Sequence, residues 1–168
     1  SAPMRRMISH RISVMRHILF ALLVAATPVS AQSVTARDGW VVIRTDKSYR
    51  GLLGDLISSV KANGMGVVTQ AGPTDAAKRR GITIPGNRVV GVFNNDFAVR
   101  VLATSTAAMI EAPIRFYVTE DVEGSTLSYK TPTHVFTPYL DEGGSELVAI
   151  AAELDATFQA IAETAVSK

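Results

Sequence analysis

Histidine is the side chain most often used for proton transfer near neutral pH, and the chain after residue 31 contains one, His134. A hydrolase or isomerase would have to pair His134 with a carboxylate, as in a Ser/His/Asp arrangement. The Gly-x-Ser-x-Gly motif of many serine hydrolases is absent from the sequence. A single histidine is more often structural than catalytic, so we assign no catalytic residue and favour a binding protein over an enzyme.

Several polar and aromatic side chains in the second half of the chain can form a ligand-binding cleft. Arg115 and Tyr117 alternate along one predicted strand and therefore point to the same side. Arg115 can form an ion pair with Asp96, which we favour, or it can bind an anionic ligand. We predict a site for a small anionic or apolar ligand near Asn94, Asn95, Arg115, Tyr117, Tyr129 and His134.

The composition gives little support to metal or redox chemistry. The chain has no Cys, which excludes disulfides, thiolate nucleophiles, iron–sulfur clusters and zinc–thiolate sites. Because His134 is the one histidine after residue 31, a histidine-rich metal centre is excluded as well. We expect no metal and no cofactor.

The first 31 residues have the pattern of a signal peptide with an N-terminal extension. Basic residues at Arg16 and His17 precede nine uninterrupted apolar residues, 18–26, and a Val-Ser-Ala sequence ends at Ala31. The apolar run is about half the roughly 20 residues that a transmembrane helix needs. We predict cleavage after Ala31 and a periplasmic or secreted location, with membrane attachment only if the leader is retained.

The charge of the mature chain argues against a nucleic-acid partner. Four of the 17 Lys and Arg residues lie in the leader and all 15 Asp and Glu residues follow it, so 13 basic and 15 acidic residues remain, a net charge of −2. Nucleic-acid binders obtain much of their affinity from phosphate contacts made by Lys and Arg. We therefore expect no nucleic-acid partner.

Residues 32–168 have the pattern of a single α+β domain. Runs of β-branched and aromatic residues predict strands at 40–44, 65–70, 88–93 and 114–119, and the last of these continues into a hairpin partner around 127–129. A hairpin makes at least part of the sheet antiparallel, so we predict a mixed or antiparallel sheet.

Amphipathic patterns predict two long helices, one directly after the first strand, between Ser48 and Asn63, and one from Ser145 toward the C-terminus, and two shorter helices between strands. The shorter helices cover residues 75–80 and a segment reaching about Ile110, and a loop interrupted by two prolines follows the hairpin. The predicted N-caps are Ser48, Thr74, either Asn95 or Asp96, and Ser145.

Two long helices on one face would leave the other face of the sheet without a cover. The side chains predicted there are Trp40, Val42, Val89, Phe93 and Tyr117, an apolar set for a solvated surface. At roughly 25 cal/mol per Å², covering a few hundred Å² would contribute several kcal/mol. We therefore expect a second subunit or an apolar ligand on this face.

Five blocks of this sequence, in order and spacing, resemble the DUF302 family of small bacterial and archaeal domains, which has no established biochemical role. They are residues 64–68, 88–95, 112–118, 123–124 and 127–132. The resemblance implies a TBP-like α+β fold of the form β-α-β(4)-α and frequent homodimers. Two positions differ from the family pattern: Asn94-Asn95-Asp96 replaces Gly-Asn-Pro, and Pro73-Thr74-Asp75 stands where many relatives place a His.

Together these observations predict an exported domain that binds a small molecule or a protein as a homodimer. Two alternatives remain at this point: a hydrolase or isomerase that uses His134 with a carboxylate, and a structural accessory subunit of an envelope complex.

Overall fold

The computed structural model describes residues 33–167, so the predicted signal peptide, residues 1–31, lies outside the described residues. The described chain forms one five-stranded sheet with helices packed on it, which confirms the predicted α+β class. None of its helices is long and apolar enough to cross a membrane. The strands are β1 (Trp40–Thr45), β2 (Gly66–Ala71), β3 (Asn87–Phe93), β4 (Ile114–Glu120) and β5 (Ser125–Lys130). The α-helices are α1 (Tyr49–Ala62), α2 (Thr74–Arg79), α3 (Asn95–Thr104), α4 (Pro132–Phe136) and α5 (Leu140–Ser167), with 3-10 turns at Ala107–Glu111 and Thr137–Tyr139.

Every pair of neighbouring strands is antiparallel, and the strand order is β1-β5-β4-β3-β2. Successive side chains of a strand point to opposite faces. Val90 lies opposite Phe116, and Phe116 lies opposite Tyr129, so these buried side chains share the face that packs against α1 and α5. We call the opposite side of the sheet the open face.

The core lies between α5 and the face of the sheet that carries Val90, Phe116 and Tyr129. Phe158 of α5 is fully buried and stacks on Phe116 with ring centroids 4.7 Å apart, and the Tyr129 ring lies 5.6 Å from it. The buried stripe of α5 is Leu147, Ile150, Ala151, Leu154, Phe158, Ile161, Ala162 and Ala165.

The predicted N-cap of α1 is confirmed, and two other capping predictions are wrong. Ser48 Oγ accepts a hydrogen bond from the amide of Gly51 at 3.1 Å. Thr74 is the first residue of α2 and follows the N-cap Pro73, and its hydroxyl accepts from the Asn87 amide at 3.0 Å instead of from a helix amide. The cap of α3 is Asn94, whose Oδ1 accepts from the amides of Asp96 (2.9 Å) and Phe97 (3.2 Å), so the helix begins at Asn95.

Three boundaries also differ from the sequence prediction. Helix α3 ends at Thr104, well before Ile110, because Ser105 is extended and its Oγ accepts from the Ala108 amide to begin a 3-10 turn. The predicted proline-interrupted loop is helical, since a proline in the first turn of α4 is compatible with a helix. Helix α5 begins at Leu140, ahead of Ser145, with a break at Gly144 (φ 62°).

Residues 33–37 form an extended strap along β1. At one end the Ser33 hydroxyl donates to Asp121 Oδ1 at 2.9 Å, and the Thr126 hydroxyl donates to the other oxygen of the same carboxylate. At the other end the Arg37 guanidinium lies 5.1 Å from the centre of the Trp40 ring. Thr126 and Trp40 belong to opposite ends of the β1–β5 pair, so the strap spans the length of β1.

Candidate functional site

The open face carries the five side chains predicted for it: Trp40, Val42, Val89, Phe93 and Tyr117. One row across the open face begins with Val42 beside Ser128 and ends with Tyr117 beside Val89, so the side chains at both of its ends are apolar. Part of the open face is nevertheless covered, which the sequence analysis did not predict. Thr126 and Ser128 belong to it and are fully buried, on the side along which the strap runs.

A cavity of about 360 Å³ opens at the end of the sheet away from the β4–β5 turn. Ligand sites occupy roughly 300–1,000 Å³, so this volume suits a small molecule. The lining residues are Trp40, Asn87, Val89, Glu111, Ile114, Arg115, Tyr117, Tyr129, Lys130 and Val135. They come from β1, β3, β4, β5, the first 3-10 turn and α4, and the antiparallel strand order is what brings them together.

Two cations, Arg115 and Lys130, line this cavity. They occupy neighbouring strands just beyond the last pair of the β4–β5 register, Phe116 opposite Tyr129. Neither side chain makes a hydrogen bond or an ion pair with a residue in the range 33–167, and both are exposed. The favoured ion pair between Arg115 and Asp96 is therefore not formed, because Asp96 lies in the first turn of α3 and the open face carries Arg115 elsewhere.

Trp40 forms a wall of the cavity beside Lys130, its partner in the β1–β5 register. The Lys130 ammonium lies 5.7 Å from the centre of the Trp40 ring, within the range of a cation–π contact. With Arg37 on the same ring, three basic side chains surround this end of the open face. The local positive charge contrasts with the net charge of −2 of residues 32–168.

Tyr117 has a hydroxyl proton available at the cavity floor. Asn87 Nδ2 donates to the Tyr117 hydroxyl oxygen, and no described residue accepts the proton of that hydroxyl. Burial, aided by the negative charges of Asp155 and Glu163, raises the pKa of Tyr129 to about 12. Tyr129 is therefore a neutral hydroxyl at physiological pH.

Glu111 is the one acidic residue in the lining, and its carboxylate already has a partner. The Tyr139 hydroxyl donates to Glu111 Oε1 at 2.6 Å, and this hydrogen bond raises the pKa of Tyr139 above its ordinary value. The contact joins the first 3-10 turn to the second and fixes the rim of the cavity.

The structure brings together three of the six residues predicted for the site: Arg115, Tyr117 and Tyr129 line the cavity. Asn94 and Asn95 lie elsewhere, at the start of α3, where Asn94 caps the helix and donates to the Gly64 carbonyl at 3.0 Å. Sequence reasoning missed Asn87, Glu111 and Lys130 as site residues.

His134 is an exposed residue of α4 that packs against the backbone of Gly39. Gly39 has φ 74°, and a Cβ at this position would overlap the imidazole ring. No carboxylate of residues 33–167 forms an ion pair with His134, and its neighbour Thr133, not His134, contacts Asp155. The contacts of His134 are thus those of a structural residue. Within the same range, no three His, Asp or Glu side chains are grouped as a metal site.

Comparisons with known proteins agree with the resemblance found in the sequence. Residues 41–165 match the family described as "Domain of unknown function DUF302". A crystal structure of an uncharacterised conserved DUF302 protein from Bacillus stearothermophilus is similar to this fold, with a TM-score of 0.67 at 18% sequence identity, over 77% of this chain and 99% of that one. No curated protein sequence matches the chain. Since the match covers most of its length, this chain belongs to the DUF302 family.

Proposed function

We propose that this domain is an exported binding module that holds a small ligand in the open-face cavity. The observation that supports this most directly is the placement of Arg115 and Lys130, neither of which forms a hydrogen bond or an ion pair in residues 33–167, beside apolar surface. The hydrolase or isomerase alternative has no comparable support, because His134 has no carboxylate partner in the described range. No contact in this range favours the accessory-subunit alternative.

A thermal-shift screen with small anions and apolar metabolites tests the proposal. A ligand at 100 times its Kd adds about 2.7 kcal/mol to the free energy of unfolding, which corresponds to several degrees in Tm for a domain of this size. We expect such a hit with the native protein and a much smaller shift with Arg115→Ala. A screen in which no compound raises Tm, or in which every hit is unchanged in Arg115→Ala, contradicts the assignment of this cavity.

The proposal includes a homodimer, which the family resemblance implies. The outer edge of β2 supports it, because β2 pairs only with β3 among the strands of residues 33–167, and Val68, at the irregular point of that pairing, is 53% exposed. An unpaired antiparallel edge can join its copy about a two-fold axis. We expect a dimer by analytical ultracentrifugation and a shift toward monomer in Val68→Lys, whereas Val122→Lys, at the exposed β4–β5 turn, should leave the mass unchanged. A native protein that sediments as a monomer at all concentrations contradicts this part.

Export is also part of the proposal, supported by the basic, apolar and Val-Ser-Ala segments that precede residue 32. N-terminal sequencing of the protein recovered from a host that expresses the full chain should begin at Gln32. A mature protein that keeps residues before Ala31 contradicts it.

A further inference from the structure

The polar groups that face the cavity are mostly hydrogen-bond donors. Arg115 and Lys130 can only donate, and Tyr117 has its hydroxyl proton free because Asn87 occupies its oxygen. The one carboxylate in the lining, Glu111, already accepts from Tyr139. A ligand that satisfies these groups must therefore present acceptors, and the cavity selects for anions over cations.

The two cations of the cavity have no carboxylate partner in residues 33–167. Like charges close together on neighbouring strands repel each other. An anion placed between them would remove this repulsion and accept charge-assisted hydrogen bonds from both. With Glu111 counted, the lining has two positive charges and one negative charge, which suits a singly charged head group.

The rest of the cavity is apolar and small. Val89, the Tyr117 ring and Trp40 line it on the open face, and Ile114 adds apolar surface from the other side of β4. Free phosphate or sulfate would leave these surfaces in contact with water. An apolar body attached to the anion would instead cover them, at roughly 25 cal/mol per Å².

We propose that the cavity binds a small organic monocarboxylate, with its carboxylate between Arg115 and Lys130 and its apolar body on Val89, Tyr117 and Trp40. This inference rests on the proposed function and names the chemical class of the ligand for the same site. A class of this kind combines one planar acceptor group, which a guanidinium binds through two hydrogen bonds, with a body that fits about 360 Å³.

Trp40 makes the proposal directly measurable, because it is the one tryptophan of the chain and it lies in the cavity wall. The experiment is a titration of its fluorescence with three probes: phenylacetate, the uncharged phenylacetamide and inorganic phosphate. The variants are Arg115→Met and Lys130→Met, and the matched control is Arg44→Met. Arg44 points to the same face of β1 but lies at the opposite end of the strand.

We expect phenylacetate to bind at least about tenfold more tightly than either other probe, a difference of about 1.4 kcal/mol. Arg115→Met and Lys130→Met should each weaken phenylacetate by a similar factor and leave phenylacetamide unchanged, and Arg44→Met should change neither. Equal binding of phenylacetamide and phenylacetate overturns the carboxylate and leaves the proposed function standing. Equal binding of phosphate overturns the apolar body. Absence of binding by all three overturns the ligand class, while the thermal-shift screen decides the proposed function separately.

Discussion

Phe158→Ala is expected to lower the free energy of unfolding by about 3–5 kcal/mol, the range for a buried phenylalanine replaced by alanine. Phe158 is fully buried, stacks on Phe116 at 4.7 Å and touches Tyr129, so its removal leaves a cavity between α5 and the centre of the sheet. The corresponding decrease in Tm is about 10 °C or more. Chemical denaturation followed by circular dichroism measures the free energy of unfolding, and thermal denaturation followed in the same way measures Tm.

Gln159→Ala is the control for this experiment. Gln159 is the next residue of α5, is exposed and bonds only to Glu163 of the same helix. Surface changes of this kind stay within about 0.5 kcal/mol. If the two variants lose the same stability, α5 does not pack on Phe116 as the structure shows.

Gly124→Ala is expected to destabilise the domain by about 2–3 kcal/mol. Gly124 lies in the turn between β4 and β5 with φ +85°, where an L side chain is strained. A Cβ there would also overlap the carbonyl oxygen of Thr45, which is backbone and cannot rotate away. The β4–β5 hairpin would have to shift against β1 to accept it.

Gly54→Ala is the matched glycine control, and we expect the opposite sign. Gly54 lies inside α1, and its added Cβ would meet no atom within 4 Å. Alanine in a helix interior is more favourable than glycine by about 0.5–1 kcal/mol. A loss of stability in Gly54→Ala, or no loss in Gly124→Ala, would contradict the turn and helix geometry described above.

Strand positions and faces were predictable because they depend on local alternation. Val42, Val89 and Tyr117 share the open face since a strand places every second side chain on the same side, whatever its neighbours are. Helix ends were less predictable, because Asn94, Asn95 and Asp96 are three consecutive capping residues and only the backbone dihedrals decide between them.

The candidate site was only half predictable because it depends on which strands are neighbours. Arg115 and Tyr117 follow from the alternation within β4, but only the register of the β4–β5 hairpin brings Lys130 near Arg115, and only the strand order places Trp40 beside Lys130. Glu111 arrives from a 3-10 turn that the sequence presented as part of a longer helix. Asn94 was predicted as a ligand contact because its side chain is polar, but that side chain makes the hydrogen bonds that cap α3.

The first residue of the strap and the last turn of α5 lie at the same end of the sheet. Ser33 reaches the β4–β5 turn through Asp121, and Ala165 accepts from Lys47, whose carbonyl in turn accepts from Ser125 at the start of β5. Arg115, Lys130 and Trp40 lie at the far end of the same strands. Attaching the protein to a sensor chip near Ser33 or near Ala165 would consequently leave the mouth of the cavity facing bulk solution.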